Sequence, residues 1–161
     1  MQSTPPTEQD MNRMLAVLKI IWMALLGSLA VYLIAGRFIA PEFASPVSGE
    51  TFAILRIALY VLGCVTLIAT GYVRKLILAA TGPSAGPAQD GQPSALQKYS
   101  SAVIASLAMS ESIGIYGLIL FLLGKNSTDL YLLVGISAAA MFHFRPRQDE
   151  LLNLAQLGLP N

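Results

Sequence analysis

Apolar positions along this chain fall into long blocks. Four stretches run almost without charge: Ile20 to Gly36, Ile57 to Val73, Tyr99 to Gly124 with Glu111 as its sole charged residue, and Leu130 to Phe144. A helix crosses ~30 Å of hydrocarbon at ~1.5 Å per residue, so a span needs about 20 largely apolar residues. The first two runs reach that length once Lys19, Arg37 and Arg56 extend along their aliphatic stems toward the headgroups. The fourth is the shortest, and it suffices if Asp129, Tyr131 and His143 lie at headgroup level. The pattern predicts an all-α integral membrane protein with spans at about residues 14–39, 52–78, 95–124 and 128–145, an N-terminal tail over 1–13 and a C-terminal tail over 146–161.

The breaks between blocks carry their own signals. Between the second and third runs, Thr81 to Gln97 holds Gly82, Pro83, Gly86, Pro87, Gly91 and Pro93, which deny it regular structure and make it a connector between two hairpins. Ser94 and Gln97 have capping-box spacing for the start of the third span. Gly124 suits its end, and Ser127, Thr128 or Asp129 suits the start of the fourth. The segment before the first run carries Glu8 and Asp10, and that run is longer than a signal-peptide core, so an uncleaved anchor is expected. In the tail, Leu151, Leu152, Leu154, Ala155 and Leu157 cluster on a helical wheel, as in a short helix lying on the inner surface; a frayed end fits equally well.

Composition narrows the function classes. With 55% hydrophobic and 12% charged residues, the chain is too apolar for a soluble domain, whose charged share is nearer ~25%. A net charge of +1 leaves no electrostatic footprint for nucleic acid. The lone Cys64 reads as a small buried hydrophobe, and His143, without other His or Cys ligands around it, reads as an interfacial side chain and not a metal ligand. No nucleophile with a paired base and no phosphate-cradling glycine loop is apparent, so neither an enzyme nor a cofactor is expected. Basic residues set the orientation. Arg13, Lys19, Arg74, Lys75, Lys98, Arg145 and Arg147 fall on one side and only Arg37, Arg56 and Lys125 on the other, which puts both termini and the middle connector in the cytoplasm.

That leaves Glu111, at the middle of the third span, where an ionised carboxylate costs at least several kcal/mol by ~2.5–3.5 kcal/mol insertion scales and above. Such a group is protonated, paired, or turned toward protein. Its helical face holds Ile104, Leu107, Ala108, Gly114, Ile115 and Leu118, and the small members let another backbone come close enough to shield it. Desolvation favours the neutral form of a carboxyl group, which then ionises when given water or a cation, as a reversible ion carrier requires. A protonated Glu serving only as interhelical glue fits the position equally well.

The surrounding run Ser106-Leu107-Ala108-Met109-Ser110-Glu111-Ser112-Ile113-Gly114-Ile115-Tyr116-Gly117-Leu118 resembles the carboxylate-bearing helix of the proteolipid c subunit of rotary ATP synthases, which typically reads S-L-A-x-x-E-A-L-T-I-Y-G-L. Upstream, Gly91-Gln92-Pro93 is similar to that family's cytoplasmic R-Q-P loop, with Gly91 in place of the Arg. The resemblance covers Gln92 to about Phe121. It implies that spans two and three form a c-like hairpin, that Glu111 binds and releases a proton or sodium ion, and that Tyr116 stands behind it on the same side of the helix. Ser112 resembles the hydroxyl that follows the carboxylate in sodium-binding members. Span two lacks the sodium-type Gln and offers only Thr66 and Thr70 near its centre, so the proton is favoured; for the family's ring-packing G-x-G-x-G it has only Gly63 and Gly71. Thr66, at comparable depth, is the expected hydrogen-bond partner of Glu111, while Ala108, Gly114 and Gly117 are expected to carry close helix packing.

The sequence thus implies a small multi-pass protein of a bacterial inner membrane, in contact with lipid and with further copies or other subunits, in which Glu111 takes up a proton. The competing readings are an accessory subunit of a membrane complex with Glu111 as glue and, last, a small proton-coupled exporter. The orientation is directly testable. In a chain with Cys64 replaced, cysteine at Ser3 or Ser84 should resist a membrane-impermeant maleimide in intact cells. Labelling of either from outside would reverse the topology.

Overall fold

The computed structural model describes residues 8–43, 49–79 and 95–150. Within them the regular structure is entirely helical: α1 Glu8–Phe43, α2 Gly49–Ala79, α3 Ala95–Gly124 and α4 Ser127–His143. The connector up to Ser94, including Gly91-Gln92-Pro93, and the leucine-rich tail beyond Glu150 lie outside the described residues. Stretches of α1, α2 and α3, at Met11–Phe38, Gly49–Ala79 and Gln97–Gly124, are long and apolar enough to cross a membrane. α4, with 17 residues, is about 25 Å long at the helical rise and falls short of that length. α1 starts at Glu8, so helix runs through part of the expected N-terminal tail.

Contacts fix the directions. Leu29 of α1 lies against Gly114 of α3 and Gly36 against Phe121, so α1 and α3 run parallel. Phe52 meets Gly124 and Gly63 meets Ile113, so α2 runs antiparallel to α3. Leu133 packs on Gly117 while Ser137 packs on Gly114, so α4 returns antiparallel as well. α3 packs against all three other helices, and α4 also meets α1. α3 is apolar all round: part of its surface meets these helices and the rest, with Ile104, Ile115 and Ile119, faces outward. Its Tyr99, Val103 and Leu107 pack with Leu15, Leu18 and Leu29 of α1 and with Leu130, Val134 and Met141 of α4. Its Ile113 and Leu120 join Leu133 in a second cluster against Phe52, Leu59 and Tyr60 of α2.

α2 buries only Gly63, Thr70 and Arg74, one narrow edge, and turns Ile54, Ile57, Val65, Ile68 and Leu76 outward. Cys64, next to that edge, is exposed and not the buried hydrophobe expected.

Cap assignments also shift. Asn126 is the N-cap of α4, its side chain accepting from the Thr128 N–H at 3.1 Å, in place of the three residues after it. Lys125, with φ 53°, takes the left-handed position that ends α3 and donates its N–H to Phe121 O at 2.8 Å. A non-glycine residue there costs about 1 kcal/mol. Gly124 is required for a different reason: a Cβ on it would sit 2.0 Å from the tip of the Phe52 ring.

Between helices bathed in lipid, apolar burial supplies little net drive, and close backbone approach and hydrogen bonds decide packing. At Gly117 a Cβ would meet Leu133 Cβ at 2.9 Å and the carbonyls of Leu130 and Asp129 at 3.4 and 3.6 Å. At Gly114 the nearest atom is Leu29 Cδ2 at 2.6 Å, the free end of a side chain that can turn away. Gly117→Ala should therefore cost about 1–3 kcal/mol in a denaturant or thermal unfolding assay, the usual range for overpacking, and Gly114→Ala clearly less. Equal stability of both variants and the unsubstituted chain would mean that α4 does not lie this close to α3.

Candidate functional site

Ser28 and Tyr32 are four residues apart on α1 and so share one face of the helix. The parallel packing of α1 on α3 brings that face to Glu111. Oε1 of Glu111 accepts from Ser28 Oγ at 2.5 Å and from Tyr32 OH at 2.9 Å. All three side chains are half-buried; nearby on α3, Gly114 has no side chain and so leaves room for Leu29 and Ser137. Ser28 Oγ also lies 2.7 Å from Leu25 O. A hydroxyl has one proton, so the two acceptors share it in a three-centre bond or compete for it.

The expected partners are elsewhere. Thr66 donates its hydroxyl to Leu62 O at 2.8 Å within α2, the back-bond that Ser and Thr make in helices; α1, not α2, faces the carboxylate. Ser112 likewise bonds back to Ala108 O at 3.1 Å. Tyr116 packs on Ile113, Leu120 and Leu133 with the α2 side chains, because five residues at 100° each carry it about 140° around the helix from Glu111. Ala108 is exposed in the described chain and not packed under a neighbouring helix as expected. Gly114 and Gly117 are buried against α1 and α4 as described above.

A second carboxylate, expected only as a helix cap or a headgroup-level residue, forms another site. Asp129, in the first turn of α4, is fully buried. Its Oδ1 accepts from Arg56 Nε at 3.1 Å, Arg56 Nη2 at 2.7 Å and Tyr60 OH at 2.8 Å. Its Oδ2 has no partner among the described residues. Arg56 and Tyr60 are again four apart, here on α2. Farther along, Ser137 Oγ donates to Ser110 O at 2.6 Å, tying α4 to α3 next to the Glu111 level. At the opposite end, Trp22 Nε1 donates to Met141 O at 3.0 Å. There Tyr99 OH donates to Arg147 O and accepts from Arg147 N–H, both at 2.9 Å. Arg74 pairs with Glu150 and donates to Phe144 O at 3.3 Å.

The sequence signal for both carboxyl sites was an i, i+4 pair of polar side chains in an otherwise apolar run: Ser28 with Tyr32, and Arg56 with Tyr60. The chain matches no family model, no curated protein and no solved structure.

Removing one member of a buried charge pair strands the other, whereas removing both does not. Arg56→Leu should therefore lower the unfolding temperature more than the double variant Arg56→Leu with Asp129→Asn. Additive losses in the double variant would show that the two groups act independently.

Proposed function

We propose that this chain is a multi-pass protein of a bacterial inner membrane, with four spans and both termini cytoplasmic, and that Glu111 is a protonatable site within it. The observation that carries the reading is the convergence of two α1 hydroxyls, Ser28 at 2.5 Å and Tyr32 at 2.9 Å, on a mid-helix carboxyl group that no cation among the described residues pairs. Glu111 is only half-buried, unlike the fully buried Asp129, which suits a group that must exchange a proton. For the fourth span, α4 follows directly on the end of α3, and Arg147 in the segment after α4 meets Tyr99 near the start of α3.

A proton fits better than sodium. The oxygens of a cation site stand around the ion, whereas Ser28 Oγ and Glu111 Oε1 are in direct hydrogen-bond contact. Ser112 and Tyr116, the residues expected to complete a sodium site, point their polar groups elsewhere or pack in another cluster. The resemblance of the α3 segment to rotary c subunits supports ion binding at Glu111, in an assembly of several copies or with other subunits. The partner helix is α1, so the functional unit would be the α1–α3 pair in place of a two-helix hairpin.

The glue reading, in which the chain is an accessory subunit, draws on the interhelical bonds at Asp129, Ser137 and Trp22, which hold helices together with no ion traffic. Carbodiimide chemistry separates the two. Dicyclohexylcarbodiimide attacks protonated carboxyls in apolar surroundings, so it should modify Glu111 selectively and lose reactivity as pH rises. Glu111→Gln should abolish the modification and any proton-linked activity while preserving assembly. If Glu111 stays unmodified at every pH and Glu111→Gln behaves as the unsubstituted chain in cells, the accessory-subunit reading replaces this one.

A further inference from the structure

At the end of the bundle opposite Asp129, α1 and the segment after α4 enclose an open cleft of about 630 Å³. Lys19, Arg145 and Arg147 line it together with Trp22, Met23 and Asp149, three cations against one carboxylate. The side chains of Lys19, Arg145 and Arg147 take part in no hydrogen bond or ion pair among the described residues. The anchoring of the cleft is done by other groups: the Trp22 indole N–H holds Met141 O, the Arg147 backbone is clamped by Tyr99 OH, and Phe142 sets its ring edge-on to Trp22 at 5.3 Å. Its walls are thus fixed by groups other than these three cations, which no side chain among the described residues neutralises.

We propose that this cleft binds the headgroup of an anionic glycerophospholipid from the leaflet at the N-terminal end of α1, the cytoplasmic leaflet in the topology above. Charge and polarity converge on that occupant. A surplus of two positive charges over the one carboxylate complements a phosphodiester. Trp22 and Met23 offer an apolar wall continuous with the outward, apolar face of α1, where Ile20 and Val31 are exposed, so that an acyl chain has a surface to follow once its phosphate is seated. Tryptophan is at home at headgroup level, and basic pockets between helices at the cytoplasmic side are suited to anionic headgroups. A soluble anion would use the cations alone and leave the apolar wall uncovered.

The proposal rests on the membrane reading, and the experiment keeps the two apart. The full chain is reconstituted into phosphatidylcholine vesicles with and without phosphatidylglycerol, floated, then extracted in mild detergent for native mass spectrometry. Failure to float with either vesicle would overturn the membrane reading itself. Flotation with both, and retention of one phosphatidylglycerol in clear preference to phosphatidylcholine, is the expected result. The triple variant Lys19→Gln, Arg145→Gln, Arg147→Gln should weaken that retention on the order of 100-fold, since each cation near the surface is worth about a fivefold gain. Its fold should survive, because none of the three side chains holds the bundle together. The double variant Arg37→Gln, Lys125→Gln removes positive charge from the opposite end and should leave retention unchanged. Equal retention of both lipids, an unaffected triple variant, or an equal loss in the double variant would overturn the site. Displacement of the lipid by millimolar inorganic phosphate would assign the cleft to a free anion instead.

Discussion

In a hydrocarbon medium a polar group has no water to turn to, and every donor or acceptor within the spans must be satisfied by the protein itself. That constraint organises this bundle more than apolar contact does, since lipid tails solvate an isoleucine as well as a neighbouring helix does. The interhelical bonds stand at three heights: Arg56 and Tyr60 on Asp129 at one end, Ser28 and Tyr32 on Glu111 with Ser137 on Ser110 in the middle, and Trp22 on Met141 with Tyr99 on Arg147 at the other. At roughly 0.6–2 kcal/mol each, no single bond holds the bundle. Their distribution fixes the register of α1 and of α4 along α3 and that of α2 along α4, because a slip of one turn would leave a carboxyl group facing hydrocarbon.

The central place of α3 follows from the same requirement. It carries Glu111, it carries the serines that bond back to its own backbone at Ala102 and Ser106, and its Gly114 and Gly117 let α1 and α4 approach within van der Waals contact. α2 has one polar pair and one buried edge, and it leaves most of its surface to the surroundings. The asymmetry between a helix that must be enclosed and one that need not be explains how four helices of similar apolarity take such different positions.

The helices themselves were legible in the sequence because long uncharged runs have one stable form in a membrane. α2 and α3 fell within a few residues of the expected ends, as did the turn at Lys125 and Asn126. Which helix faces Glu111 was not legible, since an apolar helix with many equivalent faces does not reveal its neighbour by composition. The resemblance to c subunits pointed to α2 and to Thr66, yet Thr66 has a backbone carbonyl of its own helix within reach and needs no partner elsewhere. Asp129 was read as a cap or headgroup-level residue because it stands at the start of a helix. Its burial depends on Arg56, 73 positions away, and no local pattern encodes that pairing.

The two carboxyl groups in the bundle are handled in opposite ways, and the difference bears on which of them can work. Asp129 is given a guanidinium, a full counter-charge with two nitrogens on Oδ1, and is itself fully buried. Taking its proton on and off would break the ion pair that holds α2 to α4. Glu111 is given two hydroxyls, which carry no net charge, and one of them, Ser28, is able to accept as well as donate. Hydroxyls reorient at little cost, so the same three side chains suit a neutral carboxyl group, with Ser28 accepting, and a charged one, with Ser28 donating and its bond to Leu25 released. The proposed cycling of Glu111 would need only that exchange of one short bond for another, with no helix moved, whereas Asp129 anchors α2 to α4 through its ion pair.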